Sequence, residues 1–282
     1  MSGKIHVTLA FSCCKPDKVS NQDLSPIILH HGCMNYKERW TPIQQDLANA
    51  TGRNVYAVDA RNHGSSERSE NFNYDILSDD LRHFMDTHNI DKACLVGHSM
   101  GGLVVMTLAL KSPDRVEKLV VEDVSPKDPG PKLYDVYGAM IEEQLKCFEE
   151  STDLDTEGSM QQKLRECLFR TVPMIPDKDQ EVINDIKFPI KKAGKGYESL
   201  TNLKSVLNAV RNPPICHFPT DCVFEKETMF IYGLSSDFSV IQDKDLILKY
   251  FPKATFSGIE DAGHDICPRK PKRFVEEISK IF

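Results

Sequence analysis

The chain has 282 residues, a formal net charge of −7 and an ordinary globular composition, enough to bury a sizeable core near the upper end for one domain. Acidic and basic residues are interleaved, so no basic stripe exists to neutralise a phosphate backbone, and nucleic acid is excluded as a partner. No apolar run approaches the ~18 residues that span a bilayer, and nine cysteines without a C-x-x-C pair or zinc-like Cys/His spacing point to reduced thiols in an intracellular protein with no structural metal.

Residues 4–11 alternate as a strand, and the start of the chain shows neither a secretory h-region nor an Arg-rich amphipathic leader. The reading is therefore cytoplasmic for the chain as it stands. Cys13 and Cys14 are adjacent and would bridge only with strain. A polar loop over 16–25 leads to an apolar strand over 26–29 that ends in His30-His31-Gly32. Glu38–Thr51 has helical periodicity and stops at Gly52. A strand over Asn54–Asp59 is followed by the polar turn Arg61-Asn62-His63-Gly64, read as a brace for the surrounding loops rather than as a substrate contact. Tyr74–His88 reads as a second amphipathic helix, Lys92–Val96 as a short buried strand, Leu103–Leu110 as a helix and Val116–Asp123 as another buried strand. Strands alternating with helices of this length give βαβ units and a mostly parallel sheet. In such sheets ligands bind outside the carboxyl ends of the strands. His31-Gly32, Asp59, Ser99 and Asp123 all fall there, so one crevice can collect them.

The rhythm breaks at Ser125-Pro126. Helices are expected over Leu133–Glu149, Met160–Thr171, Lys178–Asp185 and Ser199–Val210, joined by Pro- and Gly-containing connections. Residues 126–226 thus read as an all-helical cap inserted into a core made of 1–125 and 227–282. The apolar cap positions Met140, Leu145, Phe148, Leu168 and Phe169 are assigned to the cap's own core. Strand character resumes at Glu227–Gly233, followed by a helix near Asp243–Tyr250, a strand over Ala254–Ile259 and a last helix opening on Pro271, a residue suited to a first helical turn.

The chemistry centres on Gly97-His98-Ser99-Met100-Gly101, a G-x-S-x-G string between a strand and a helix. That is the pattern of a nucleophile elbow, a turn tight enough to lift a serine hydroxyl above a sheet. A serine hydroxyl needs an adjacent base, usually an imidazole oriented by a carboxylate. After Ser99 the only histidines are His217, in the irregular tail of the insertion, and His264, in a loop between the last strand and the last helices. His264 is the expected base. The usual acid position, about three residues past Gly233, holds Ser236, with Asp237 next to it. The alternative geometry places the acid one strand earlier, where the chain reads Glu122-Asp123, and a carboxylate at so apolar a strand end needs a partner. Asp123 is the preferred acid, with Asp237 and then Glu122 as alternatives. The oxyanion hole should take one backbone N–H from Met100 and a second from Cys33, with Met34 the close alternative. Cys33 as a second nucleophile lacks a dedicated base.

With these parts in place, the strings Val58-Asp-Ala-Arg-Asn-His-Gly64, Gly97-His-Ser-Met-Gly-Gly102 and Glu122-Asp-Val-Ser-Pro126 make the chain resemble the α/β-hydrolase superfamily from about residue 4 to 282. Within it, the resemblance is to the branch of α/β-hydrolase domain-containing protein 11 and related bacterial esterases. It implies ester hydrolysis on acyl or glycerolipid substrates without a cofactor, and it carries the acid onto Asp123. It also suggests a mitochondrial setting for the animal members. His30-His31-Gly32-Cys33-Met34-Asn35 departs from the branch's usual Leu-His-Gly-Leu-Phe-Gly, which alters the oxyanion loop and the acyl pocket. Thioesterase or peptidase chemistry on the same residues, and a non-catalytic scaffold on the same fold, are the competing readings.

Overall fold

In the computed structural model, residues 6–18, 24–128, 130–171, 186–212, 218, 221–238 and 240–282 are described. A seven-stranded sheet is built from β1 (Phe11–Cys14), β2 (Ile27–His30), β3 (Val55–Val58), β4 (Ala93–His98), β5 (Val116–Glu122), β8 (Thr228–Gly233) and β9 (Ala254–Ile259). Their order across the sheet is β1-β3-β2-β4-β5-β8-β9, and only the β1–β3 pairing is antiparallel. The expected α/β architecture is thus the observed one.

The first strand differs from its expected place. Val7 and Leu9 are buried as the alternation demands, yet ladder pairing begins only at Phe11. The N–H groups of Val7, Thr8 and Ala10 instead reach the side chains of Asp80, Glu67 and Ser66. Extended backbone satisfied by side chains leaves the same sequence pattern as a strand. Cys13 and Cys14 sit in that edge strand as free thiols, on opposite faces because successive strand residues alternate.

Helices cover both faces. Against one face pack α2 (Tyr74–Thr87), α3 (Met100–Lys111) and α7 (Lys244–Tyr250), through Leu77, Leu81, Leu103 and Ile247. Against the other pack α1 (Thr41–Thr51), α8 (Ile266–Arg269) and α9 (Pro271–Ile278), through Ile43, Leu47, Ile266 and Phe274. The strands split residue by residue between the two cores: Ile28, Leu95, Leu119, Val121 and Phe230 face the first, whereas Ile27, Leu29, Val96, Val120 and Ile231 face the second. This period of two is the pleat itself, and it decides below where Glu122 and Asp123 point. The termini of these helices follow local chemistry. Gly52 adopts φ +66° to end α1, Asn73 accepts the Ile76 N–H to start α2, and Pro271 opens α9.

Between β5 and β8 lie α4 (Pro131–Glu149), α5 (Glu157–Thr171) and α6 (Leu203–Arg211). The insertion is not all-helical, because an antiparallel hairpin joins β6 (Ile190–Ala193) to β7 (Gly196–Ser199). Its strands are largely polar, as Lys191, Lys192, Tyr197 and Glu198 show, so no buried apolar run announced them. The helix expected from Ser199 starts at Leu203, after the second hairpin strand. The helix expected over Lys178–Asp185 lies outside the described residues. Met140 and Leu168 are buried, while Leu145 and Phe148 join Ile141, Leu203 and Val206 in a third cluster that also touches Cys33 and Met34. Among the described residues, no helix is long and apolar enough to cross a membrane.

Candidate active site

β4 runs directly into Ser99, and α3 begins one residue later. Ser99 has φ +52° and ψ −118°, a conformation that costs a non-glycine residue energy and persists only when its surroundings enforce it. Here the Ser99 N–H donates to the Glu122 carbonyl at 3.0 Å, and the Ser99 carbonyl accepts from Leu103 at 3.1 Å. The turn also requires Gly97 and Gly101. A Cβ on Gly97 would stand 2.6 Å from Val105 Cγ2 and run into the Gly101 backbone, and one on Gly101 would stand 2.6 Å from the His31 carbonyl. The Gly32 loop lies against the same turn, since a Cβ there would be 3.3 Å from that of Ser99.

Asp123 follows β5 with φ +54° and is fully buried. Its Oδ1 accepts the Gly233 N–H at 3.0 Å, and its Oδ2 accepts His264 Nδ1 at 2.7 Å. The Ser236 hydroxyl donates to that same Oδ2. The residue at the usual acid position therefore donates to the Asp123 carboxylate and supplies no carboxylate of its own. Asp237 is exposed. Glu122 falls on the opposite face of the sheet by the pleat, where its carboxylate meets Arg39. The carboxylate brought to His264 is that of Asp123. With its Nδ1–H committed to a carboxylate, the imidazole presents an unprotonated Nε2, the tautomer a general base needs. Its ring is stacked on Phe238 at 4.0 Å and 14°, and the His98 ring lies 4.6 Å away on tilted planes. His217 lies outside the described residues.

Met34 has φ +57°, and its N–H donates to His63 Nε2 at 3.1 Å, which removes it from the candidate oxyanion donors. Cys33 remains the loop's candidate, with Met100, the first residue of α3, as the other candidate donor. Burial pushes the Cys33 thiol up to about 12, far from thiolate chemistry at neutral pH.

Three buried histidines hold this loop. His31 Nδ1–H donates to the Gly32 carbonyl at 2.7 Å while its Nε2 accepts the Ala60 N–H at 2.9 Å. His63 Nδ1–H donates to the Arg61 carbonyl at 2.9 Å, and His30 Nδ1–H to the His31 carbonyl at 3.1 Å. Burial lowers His30 and His63 to about 4 and His31 well below the usual histidine value, so all three are neutral at pH 7. The sign follows from linkage. Between pH 6.5 and 4 the unfolded chain takes up protons that the native histidines refuse, so stability is present above that window and is lost on acidification through it. His30 and His63 should each cost about 2 kcal/mol by pH 5. A thermal melt series from pH 7 to pH 5 should therefore show the unfolding midpoint falling by several degrees, and a flat series would contradict the neutral assignment.

The Arg61–Gly64 turn is occupied by structural contacts. Arg61 forms a buried two-pronged pair with Asp80 at 2.5 and 2.7 Å and donates to the Asn71 carbonyl at 2.9 Å. The Asn62 carbonyl accepts the Asn202 N–H at 2.7 Å, tying the turn to the start of α6. Asp59, although at a strand end, accepts from the Lys37 N–H at 2.7 Å, Lys37 Nζ at 3.0 Å and the Ser65 N–H at 2.9 Å, and so fixes the loop before α1. No group of His, Cys, Asp and Glu suited to a metal ion occurs among the described residues. Ser236 and Phe238 were not legible as partners of Asp123 and His264, since neither residue type signals such a role alone.

A family model described as "alpha/beta hydrolase fold" matches residues 25–271. The chain is 33% identical over 259 residues to sn-1-specific diacylglycerol lipase ABHD11 of Danio rerio, covering 91% of this chain and 78% of that protein. It is 27% identical over 298 residues to ethanol acetyltransferase 1 of Cyberlindnera fabianii, covering 98% of this chain and 86% of that one. Among solved structures, one titled "Marine microorganism esterase" superposes with a TM-score of 0.78 at 24% identity, covering 98% of this chain and all of that one. The parallel sheet, the strained serine between strand and helix, and a sequence match spanning most of the chain agree: the chain belongs to the alpha/beta hydrolase fold family.

Proposed function

We propose that the protein is a carboxylesterase of lipase type that works through an acyl-enzyme on Ser99, His264 and Asp123. The observation that carries this reading is the 2.7 Å contact between His264 Nδ1 and the buried Asp123 carboxylate, with the base's loop held against the strained elbow residue's neighbour, His98. Ser99 Oγ attacks the ester carbonyl and His264 Nε2 takes its proton. The Cys33 and Met100 N–H groups hold the oxyanion. The imidazolium then protonates the leaving alcohol, and a water activated by the same nitrogen releases the acid and restores Ser99. Residues 126–226 act as the cap. Their cluster around Ile141, Leu203 and Val206 packs against Cys33 and Met34, and this apolar contact with the proposed oxyanion loop supports acyl ester or glycerolipid substrates.

The test is a kinetic panel of short-, medium- and long-chain esters and a diacylglycerol, with a thioester and an anilide of the same acyl groups. Esters should be turned over with the highest kcat/KM, and loss of all activity on Ser99→Ala is required. Preferential turnover of the thioester or anilide would replace this reading.

The likeness to a relative named an ethanol acetyltransferase favours a second outcome at the same acyl-enzyme, which opens when an alcohol attacks in place of water. Added ethanol would then divert product from free acid to ethyl ester.

The placement of Ser236 gives a sharper prediction. Asp123→Ser should lose about four orders of magnitude in kcat, and adding Ser236→Asp should restore on the order of 10²-fold of that loss by moving the carboxylate to the other side of the same oxygen position. Ser236→Asn in that background should restore nothing.

A further inference from the structure

Each of the three proposed catalytic residues has a chain neighbour in one charged cluster at the carboxyl ends of β4 and β5, buried except at Asp265. His98 precedes Ser99, Glu122 precedes Asp123, and Asp265 follows His264. Arg39, in the 3-10 turn before α1, joins them. Its Nη2 donates to both Glu122 oxygens at 2.7 and 2.8 Å, and its Nη1 donates to Asp265 Oδ1 at 2.5 Å. The Arg39 and Glu122 side chains are 1% and 0% exposed, whereas that of Asp265 is 42% exposed. Glu122 Oε1 also accepts the N–H groups of Ile266 and Cys267 at 2.9 Å each, which pins the start of α8 directly behind His264. His98 Nε2–H donates to the His264 carbonyl at 3.1 Å and lies 3.7 Å from Asp265 Oδ1.

Pleat parity explains the convergence. Val96 and Val120 face the core on the α1 side, so the next residues of that parity, His98 and Glu122, do so as well. The charges in the cluster do not cancel. Arg39 supplies one positive charge and Glu122 and Asp265 supply two negative ones. Burial and the nearby Arg39 push His98 well below the usual histidine range, so it stays neutral. Partial burial opposes ionisation of Asp265, but the charge and hydrogen bond of Arg39, together with the neighbouring His98 and His264, outweigh it and hold the carboxyl well below the usual carboxylate range.

We propose that Arg39 is a positioning residue for the catalytic machinery, fixing the three chain neighbours in one register and setting, with Asp265, the charge that His264 meets behind its ring. This rests on the assignment of His264 as the base. The groups facing that imidazole are Asp123 on Nδ1, Asp265 and neutral His98 beside it, and the uncharged Phe238 on its face, with Arg39 and Glu122 behind. Removing the Asp265 charge takes away a negative neighbour, which disfavours the imidazolium. Removing the Arg39 charge leaves Asp265, the carboxylate beside the imidazole, without its counter-charge, while burial pushes the Glu122 carboxyl up towards its neutral form; the unscreened Asp265 favours the imidazolium. A role confined to packing would not produce opposite signs.

The experiment is the pH profile of kcat/KM for a soluble ester with wild type, Asp265→Asn, Arg39→Met and Arg39→Lys, each checked for a native circular dichroism spectrum. The acid limb should move to lower pH by about half a unit to one unit in Asp265→Asn and to higher pH by a similar amount in Arg39→Met. Arg39→Lys keeps the charge but loses the fork, so its limb should stay in place while kcat falls on the order of tenfold. If Arg39→Met does not fold, Asp265→Asn and Arg39→Lys decide the matter. An unmoved or upward-moving limb in Asp265→Asn, or an Arg39→Lys enzyme with unchanged kcat, overturns the proposal while leaving the esterase reading intact. An inactive wild type overturns both.

Discussion

Asp123→Asn is expected to lower kcat on a soluble ester by about 10⁴-fold while leaving the fold intact. The reason is a tautomer. Asp123 Oδ1 accepts the Gly233 N–H, and Oδ2 accepts both His264 Nδ1 and the Ser236 hydroxyl. An asparagine keeps its carbonyl oxygen on Gly233, which turns its NH₂ group toward His264. The imidazole must then present a lone pair at Nδ1 and carry its proton on Nε2, where it cannot accept one from Ser99. The loss should fall in kcat more than in KM, because the missing interaction matures in the transition state. Asp237→Asn, at an exposed position, should remain near wild type. The opposite pattern would return the acid to the strand-eight loop and reject the assignment to the end of β5.

Arg61→Met should destabilise the protein by about 3–5 kcal/mol, read by urea unfolding, while the folded fraction keeps nearly wild-type kcat and KM. The pair with Asp80 is buried on both sides, at 0% and 1% side-chain exposure, so removing the guanidinium strands a carboxylate without its counter-charge. Asp80 also accepts the Val7 N–H, which holds the extended segment before β1, so the damage should spread to that edge. A raised KM with unchanged stability would instead make Arg61 a substrate contact and refute the bracing role of its turn.

Much of the fold was legible because two independent periodicities agreed with their punctuation. The buried runs of β2, β4 and β5 alternated with helical stretches, and Gly52 and Pro271 marked helix ends that the structure keeps. The elbow was legible because its glycines are demanded by backbone crowding, a local constraint that leaves a local signature. What was hidden depends on contacts made across the chain. Residues 6–10 carry strand alternation, but their hydrogen bonds go to Glu67, Ser66 and Asp80. The hairpin in the insertion is polar on both strands and gave no hydrophobic period. Arg39 meets Glu122 and Asp265 at separations of 83 and 226 residues, which no local spacing encodes. Within the site, Ser236 looked like a gap in the pattern. In the structure its hydroxyl donates to the same Asp123 oxygen that accepts His264 Nδ1. The parity of β5 was nonetheless readable: adjacent carboxylates at a strand end must point to opposite faces, so Glu122 and Asp123 were bound to have different partners.

The most direct measurement is covalent labelling with a fluorophosphonate, followed by peptide mass spectrometry. The folded wild-type protein should take up one phosphonyl group at Ser99 in competition with ester substrates. Ser99→Ala should take up none, and Asp123→Asn should label far more slowly. Absence of labelling of the folded wild-type protein, or stable attachment at another residue such as Cys33, would contradict an acyl-enzyme mechanism at Ser99.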